Sequence, residues 1–166
     1  MVARAGLLIS FIFIATSCYE TRNESGTSKT SVADTPEGAG IESRLRQYYE
    51  DFSSRDWQKF QSHFWNNATL TTSWQMPGDS IARVDVTTID DFIREAPFGP
   101  GSQPIFEEKM KKSRIDVKGN LATAWVDYDV KFGRMDSLQQ WSGTDVFTFL
   151  RHNREWKIVS IVFESE

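Results

Sequence analysis

Residues 121–132, 138–152 and 155–163 alternate apolar and polar side chains with a period of two and are separated by short polar breaks. That period marks strands with one buried face, so the last third of the chain predicts three long antiparallel strands. Residues 104–117 read as a further strand, joined to the next through Lys118-Gly119-Asn120, a hairpin signal. Earlier in the chain the period changes. Ile41, Leu45, Tyr48, Tyr49 and Phe52 recur at three- and four-residue steps, which predicts an amphipathic helix over 41–52. Asp56 can cap a shorter helix whose stripe is Trp57, Phe60 and Phe64. Residues 68–74 read as the first strand, ended by the turn Met76-Pro77-Gly78-Asp79. Thr87 or Thr88 can cap a third helix that carries Asp90 and Asp91 in its first turn and turns Ile89, Phe92, Ile93 and Ala96 inward. Residues 98–102 predict a loop.

The alternation also assigns faces. Ala122, Ala124, Val126, Tyr128, Val130 and Phe132 form the core side of one strand, and Thr123, Trp125, Asp127, Asp129 and Lys131 the outer side. Trp141, Gly143, Asp145, Phe147 and Phe149 share a face of the next strand, with Val159, Ile161 and Phe163 expected to face the same interior from the last. Helices packed on one face of an antiparallel sheet give an α+β fold, and curvature of the sheet leaves an apolar hollow between the layers. Any function should sit in that hollow.

At 166 residues, 39% hydrophobic and 25% charged, the chain suits one domain. With 19 basic against 23 acidic side chains and a net charge of −4, it has no global field for holding nucleic acid, which is not expected as a partner. The N-terminus reads differently from the rest. Arg4, an apolar run over 7–15 and the small residues Ala15-Thr16-Ser17 make residues 1–17 a signal peptide. Cys18, the one cysteine, follows directly, and the arrangement resembles the lipid-attachment site of bacterial lipoproteins, with Ala15 where leucine is usual. The resemblance implies lipidation of Cys18 and a membrane-anchored lipoprotein of the cell envelope, on the periplasmic or surface side; Tyr19 in place of an aspartate points to the outer membrane. The alternative is ordinary cleavage and a soluble protein with a free thiol. Residues 18–40, poor in apolar side chains, read as a flexible linker, leaving 41–166 as the folded domain.

The order helix, helix, short strand, helix, then four long strands, with Tyr48–Phe52 leading to Ala68-Thr69-Leu70 and closing on Asp145-Val146-Phe147 and Trp156-Lys157-Ile158, resembles the nuclear transport factor 2-like superfamily. SnoaL-like cyclases and ketosteroid isomerases are among its members. The resemblance implies a cone-shaped, curved antiparallel β-sheet wrapped around N-terminal helices, a cystatin-like arrangement. Set against the isomerases, the oxyanion tyrosine falls on Tyr48 and the neutral carboxylic acid on Asp145, while the general base falls on Thr72. A threonine hydroxyl cannot take a proton near neutral pH as a carboxylate can, so the resemblance leans away from catalysis. The pair Tyr48 and Asp145 either polarises a ligand's carbonyl or forms an ordinary buried hydrogen bond.

Tyr48, Trp74, Tyr128, Trp141, Asp145, Phe147 and Phe163 are the pocket-lining candidates, with Trp74 and Trp141 nearest the mouth. Aromatic walls suit a small hydrophobic molecule. Asp127 and Asp129 share an outward face and read as solvated. His63 and His152 show no metal-ligand spacing, and neither a metal nor a cofactor is expected. Lys109, Lys111, Lys112 and Arg114, answered by Glu107 and Glu108, read as the defence of an exposed edge strand. Trp125 on the outer face is a candidate homodimer contact. Three readings stay open: a ligand-binding or dimerisation module without catalysis, an isomerase, dehydratase or cyclase using Tyr48 and Asp145, and a structural partner whose outer sheet face docks another envelope protein while the cavity is filled.

Overall fold

The computed structural model describes residues 35–74 and 80–165, with Trp74 described by its backbone alone. Cys18, the signal segment and the turn at 76–79 lie outside the described residues, as does the side chain of Trp74. The first described element is helix α1, Pro36–Ser54, which starts five residues ahead of the apolar stripe. Its early start has a local cause. Thr35 caps it by accepting from Gly38 N at 3.1 Å, and Pro36 occupies the first turn, where its missing N–H costs nothing. Residues 36–40 are thus helix rather than linker. The helix buries Ile41, Leu45, Tyr48, Tyr49 and Phe52 and ends where Arg55 turns left-handed at φ 60°.

Helix α2, Trp57–Ser62, is capped by Asp56 and buries Phe60 completely. Phe64 does not continue its stripe. The chain leaves the helix at His63, whose carbonyl accepts from Ile158 N at 2.9 Å, so Phe64 opens strand β1, Phe64–Trp74. Strand β2, Arg83–Thr88, follows, and Thr88 caps helix α3, Ile89–Glu95, with its hydroxyl on Asp91 N. A single 3-10 turn, Ala96–Phe98, then enters the loop. The remaining strands are β3 (Ile105–Lys118), β4 (Leu121–Arg134), β5 (Ser137–His152) and β6 (Glu155–Ser165).

All six strands form one sheet in the order β2-β1-β6-β5-β4-β3, antiparallel except that β1 and β6 run parallel. The β3–β4 hairpin turns at Gly119, φ 62°, a conformation glycine adopts without a Cβ clash. The β5–β6 hairpin turns on Asn153 and Arg154 at φ 50° and 67°, the positive pair that a two-residue type I′ loop requires. Two bulges bend the long strands. One inserts Lys111 in β3 and the other inserts Val159 in β6. The second changes a face: Ile158 and Ile161, 0% and 1% exposed, fill the interior, and Val159, expected there, is displaced to a half-buried position.

α1 lies across the curved sheet, and the layer between them is aromatic. Tyr48, Phe52, Phe60, Phe64, Phe147 and Phe149 pack with centroid separations from 4.8 to 6.0 Å, including edge-to-face contacts that suit ring quadrupoles. A buried polar contact borders this layer. His63 Nε2 lies 2.8 Å from Asp51 Oδ2, both residues 5% exposed, and burial holds the imidazole below its ordinary range although Asp51 pulls the other way. On the outer face Trp125 carries the Arg114 guanidinium 5.5 Å above its ring, and Asp129 accepts from Ser142 Oγ and pairs with Lys111 at 3.1 Å.

Candidate functional site

A cavity of about 180 Å³ remains between α1, α3 and the sheet. Its floor is Leu70 and Ile161, and its walls include Tyr48, Phe52, Phe92, Phe106, Tyr128, Trp141 and Phe163. An engineered apolar cavity of about 150 Å³ takes one benzene ring, so this space is sized for a single ring. The cavity widens into a vestibule of about 770 Å³ that shares Phe92, Pro100, Trp141, Phe163 and Ser165 with it. Arg55 steadies the vestibule's loop by donating to Pro100 O at 3.1 Å and Gln103 O at 2.6 Å. Thr72, the position of an isomerase's base, lies in the vestibule paired with Asp85 of β2, outside the inner cavity.

The interior is not purely apolar. Asp145, on β5 and 4% exposed, and Glu108, on β3, both line it. Tyr49 Oη donates a hydrogen bond to Asp145 Oδ2. This corrects the pairing expected for Tyr48. One residue along a helix is a rotation of about 100°, which turns Tyr49 toward β5 and leaves the Tyr48 ring boxed by Phe52, Phe60, Phe64 and Phe147 while still reaching the cavity. Phe147 is also corrected. It was expected on the pocket wall, but it is 0% exposed, lies beneath the Tyr48 and Tyr49 rings at 5.1 and 6.2 Å, and does not line the cavity.

Glu108 is the site residue that sequence reasoning missed. It was paired on paper with the basic run, whereas Glu107 takes that role, 2.5 Å from Lys109 and 3.7 Å from Lys131. The signal was present: Phe106, Glu108 and Met110 alternate on the inward face of β3 up to the bulge at Lys111.

Among the described residues no cation pairs with either carboxyl. Burial pushes the Asp145 carboxyl up to about 7, against the lowering effect of the Tyr49 hydrogen bond. Burial first, and the Asp145 charge second, push Glu108 well above the usual carboxylate range. The same two causes raise both Tyr48 and Tyr49 far above an ordinary phenol. Tyr128 is pushed up to about 12, mainly by burial, and its hydroxyl spans to Glu164 O at 3.3 Å and Ser165 Oγ at 3.2 Å across β6. It passes over Gly143, where a Cβ would collide with the Tyr128 ring and the Glu164 carbonyl. The glycine is what lets the tyrosine lie flat along the cavity wall.

Chemically, the interior offers carboxyls whose ionisation burial disfavours, in an aromatic chamber that opens into a wide vestibule. No cluster of three or more metal-ligating side chains occurs among the described residues.

Comparison with known proteins agrees with this architecture. The sequence matches the family described as "Putative lumazine-binding" over residues 36–164. An NTF2-like protein of unknown function from Shewanella baltica OS155 superposes with a TM-score of 0.60 at 22% identity, over 78% of this chain and 94% of that one. A hexachlorocyclohexane dehydrochlorinase from Novosphingobium barchaimii LL02 gives 0.62 at 12% identity, over 78% and 86%. A protein of unknown function with a cystatin-like fold from Nostoc punctiforme PCC 73102 gives 0.62 at 11%, over 80% and 93%. Identities this low speak for the fold alone. No curated protein sequence matches the chain.

Proposed function

The chain belongs to the lumazine-binding-like family of the nuclear transport factor 2-like superfamily, and from that premise we propose that it is a binding protein for a small, ring-sized, largely apolar molecule, held without catalysis. The observation that carries this reading is the cavity of about 180 Å³, walled by aromatic side chains and open through a single-sided vestibule. Ligand pockets combine such walls with a few convergent polar groups, here Asp145, Glu108 and Tyr48. Native mass spectrometry of the protein purified from its source tests it. The expected spectrum carries a non-covalent adduct, lost when the cavity is filled by Leu70→Trp; a bare mass in both proteins would overturn the reading.

The same proposal places the protein on a membrane of the cell envelope, anchored through lipidated Cys18. The signal-like segment and the lone cysteine after small residues support it. Several acyl chains anchor a protein stably where one does not. Cys18→Ala should move the protein from the membrane pellet to the soluble fraction, and an unchanged distribution would sink the anchor. A homodimer through the outer sheet face belongs to this reading too, supported by Trp125 and Val162, 45% and 50% exposed. The subunit count in the native spectrum decides it.

One observation favours a second reading, proton transfer on a bound carbonyl compound. Glu108 brings a second carboxyl into the cavity that holds Asp145, a group that burial makes more basic in its ionised form and that Thr72 does not offer. Wash-in of deuterium from solvent into cyclohexanone, abolished by Glu108→Gln, would establish it; exchange at the uncatalysed rate leaves binding alone.

A further inference from the structure

The cavity has a polarity that its aromatic walls do not account for. Asp145 and Glu108 enter it from different strands, β5 and β3. Tyr49 supplies a hydrogen bond to one oxygen of Asp145, and no described residue supplies one to the Glu108 carboxyl. Tyr48, 3% exposed, lines the same space. Asp145 is buried and Glu108 half-buried, and two carboxyls on one side of a small chamber, with no cation paired to either among the described residues, have a charge to offer a ligand.

The cations that stand near are committed elsewhere. Glu108 and Phe106 also border a groove between α1 and β3 that holds Arg46, Glu50, Glu107 and Lys109. Arg46 pairs with Glu42 at 2.6 Å and Lys109 with Glu107 at 2.5 Å, while Arg55, whose guanidinium lies 5.8 Å from the centroid of the Phe106 ring, is held by the carbonyls of Pro100 and Gln103. Among the described residues the titratable groups lining the cavity are Tyr48 from α1, Glu108 from β3, Tyr128 from β4 and Asp145 from β5, with none from α3 or β6, and Tyr49 of α1 reaches Asp145 from behind. Every one of them is neutral or negative.

We propose that the ligand of this cavity is a small organic ammonium, its apolar body among the rings of Phe52, Phe106, Tyr128 and Trp141 and its charged nitrogen at Asp145 and Glu108. This rests on the reading of the cavity as a ligand site and names the chemistry of the ligand. Aromatic faces attract a cation through their quadrupole, most strongly when water is excluded. The carboxylates then gain the opposite charge that the protein itself withholds. Binding is coupled to protons: the cation stabilises the ionised carboxyls, so protons leave as it enters, and affinity falls as pH drops and the carboxyls reclaim them. The raised Asp145 places that fall around neutrality.

The test is calorimetric titration of the purified protein with benzylammonium and with its neutral counterpart benzyl alcohol. At pH about 8 benzylammonium should bind about tenfold or more tighter than the alcohol, and by pH about 5 that preference should be gone. The binding heat should change with the ionisation enthalpy of the buffer, the sign of proton release. Asp145→Asn, and separately Glu108→Gln in case the first variant fails to fold, should bring the ratio of the two affinities toward one. If the alcohol binds as tightly as the ammonium at the higher pH, the charge assignment is overturned and the cavity remains a site. If neither binds, the ligand-site reading falls with it.

Discussion

Asp145→Asn should make the protein more stable at neutral pH. The sign follows from the direction of the shift: the folded carboxyl titrates near 7, above its ordinary 3.8, so the fold prefers the protonated acid. The stability tied to that preference is fully present below pH about 4 and is lost as pH rises through about 7. A shift of that size corresponds to something on the order of 4 kcal/mol. Asparagine keeps the shape of the neutral acid and an oxygen for the Tyr49 hydroxyl, and it cannot ionise. Denaturant unfolding of both proteins should give similar stabilities near pH 4 and a gap that opens by pH 8 in favour of the variant. Parallel curves across that range would mean that Asp145 is not desolvated. Glu108→Gln should act in the same direction, and the two effects should not add, because each carboxyl raises the other's cost. A fold that accepts such a cost in its interior matches the general pattern in which perturbed carboxyls mark sites rather than scaffolding.

Phe147→Ala should be the most damaging single truncation in the core. The side chain is fully buried between the ring of Tyr48 and that of Phe149, with centroids at 5.1 and 6.0 Å. Phenylalanine-to-alanine changes at such places cost about 3–5 kcal/mol through lost transfer energy and the void left behind. In a domain of this size that lowers the melting temperature by roughly 10 °C. Trp141→Ala offers the contrast, since Trp141 stands half-buried where the cavity meets the vestibule. It should reduce occupancy of the cavity while costing about 1 kcal/mol of stability. Thermal unfolding and ligand titration on the two variants separate the roles; a Phe147→Ala protein that melts normally would contradict its place in the core.

The elements that the sequence announced most clearly are those with one dry and one wet face. Strand β4 keeps Ala122, Ala124, Val126, Tyr128 and Val130 buried against exposed Trp125, Asp127 and Asp129, so its alternation is complete. Strand β2 was not visible for the opposite reason. Val84 and Val86 alternate with Asp85 and Thr87 over only four residues, and the valines are 74% and 61% exposed, so the strand has no buried face to lengthen the signal. The bulge at Val159 was invisible because an inserted residue leaves composition unchanged while it reverses every face beyond it.

The site was legible to the same extent. Asp145 stands out as an acid on an apolar face, and a tyrosine partner from α1 was expected. Which of two adjacent tyrosines reaches it depends on how the helix is rolled on the sheet, a tertiary property that the stripe alone does not set, because Tyr48 and Tyr49 both belong to the stripe. Glu108 was hidden by its neighbours: charges on both sides in sequence make an inward carboxylate look like one more surface residue until the register of β3 is known.

The parallel pairing of β1 with β6 bears on how the chain reaches this state. Residues near Leu70 must meet residues near Ile161, and β6 occupies the middle of the sheet with β1 on one flank and β5 on the other. Until that final ribbon has been synthesised, β1 and β2 lack their neighbour in the sheet, and the aromatic layer lacks Ile158 and Ile161. Contacts so distant in sequence form slowly. The sheet becomes continuous only once β6 has been made, so its two halves wait on the ribbon that joins them.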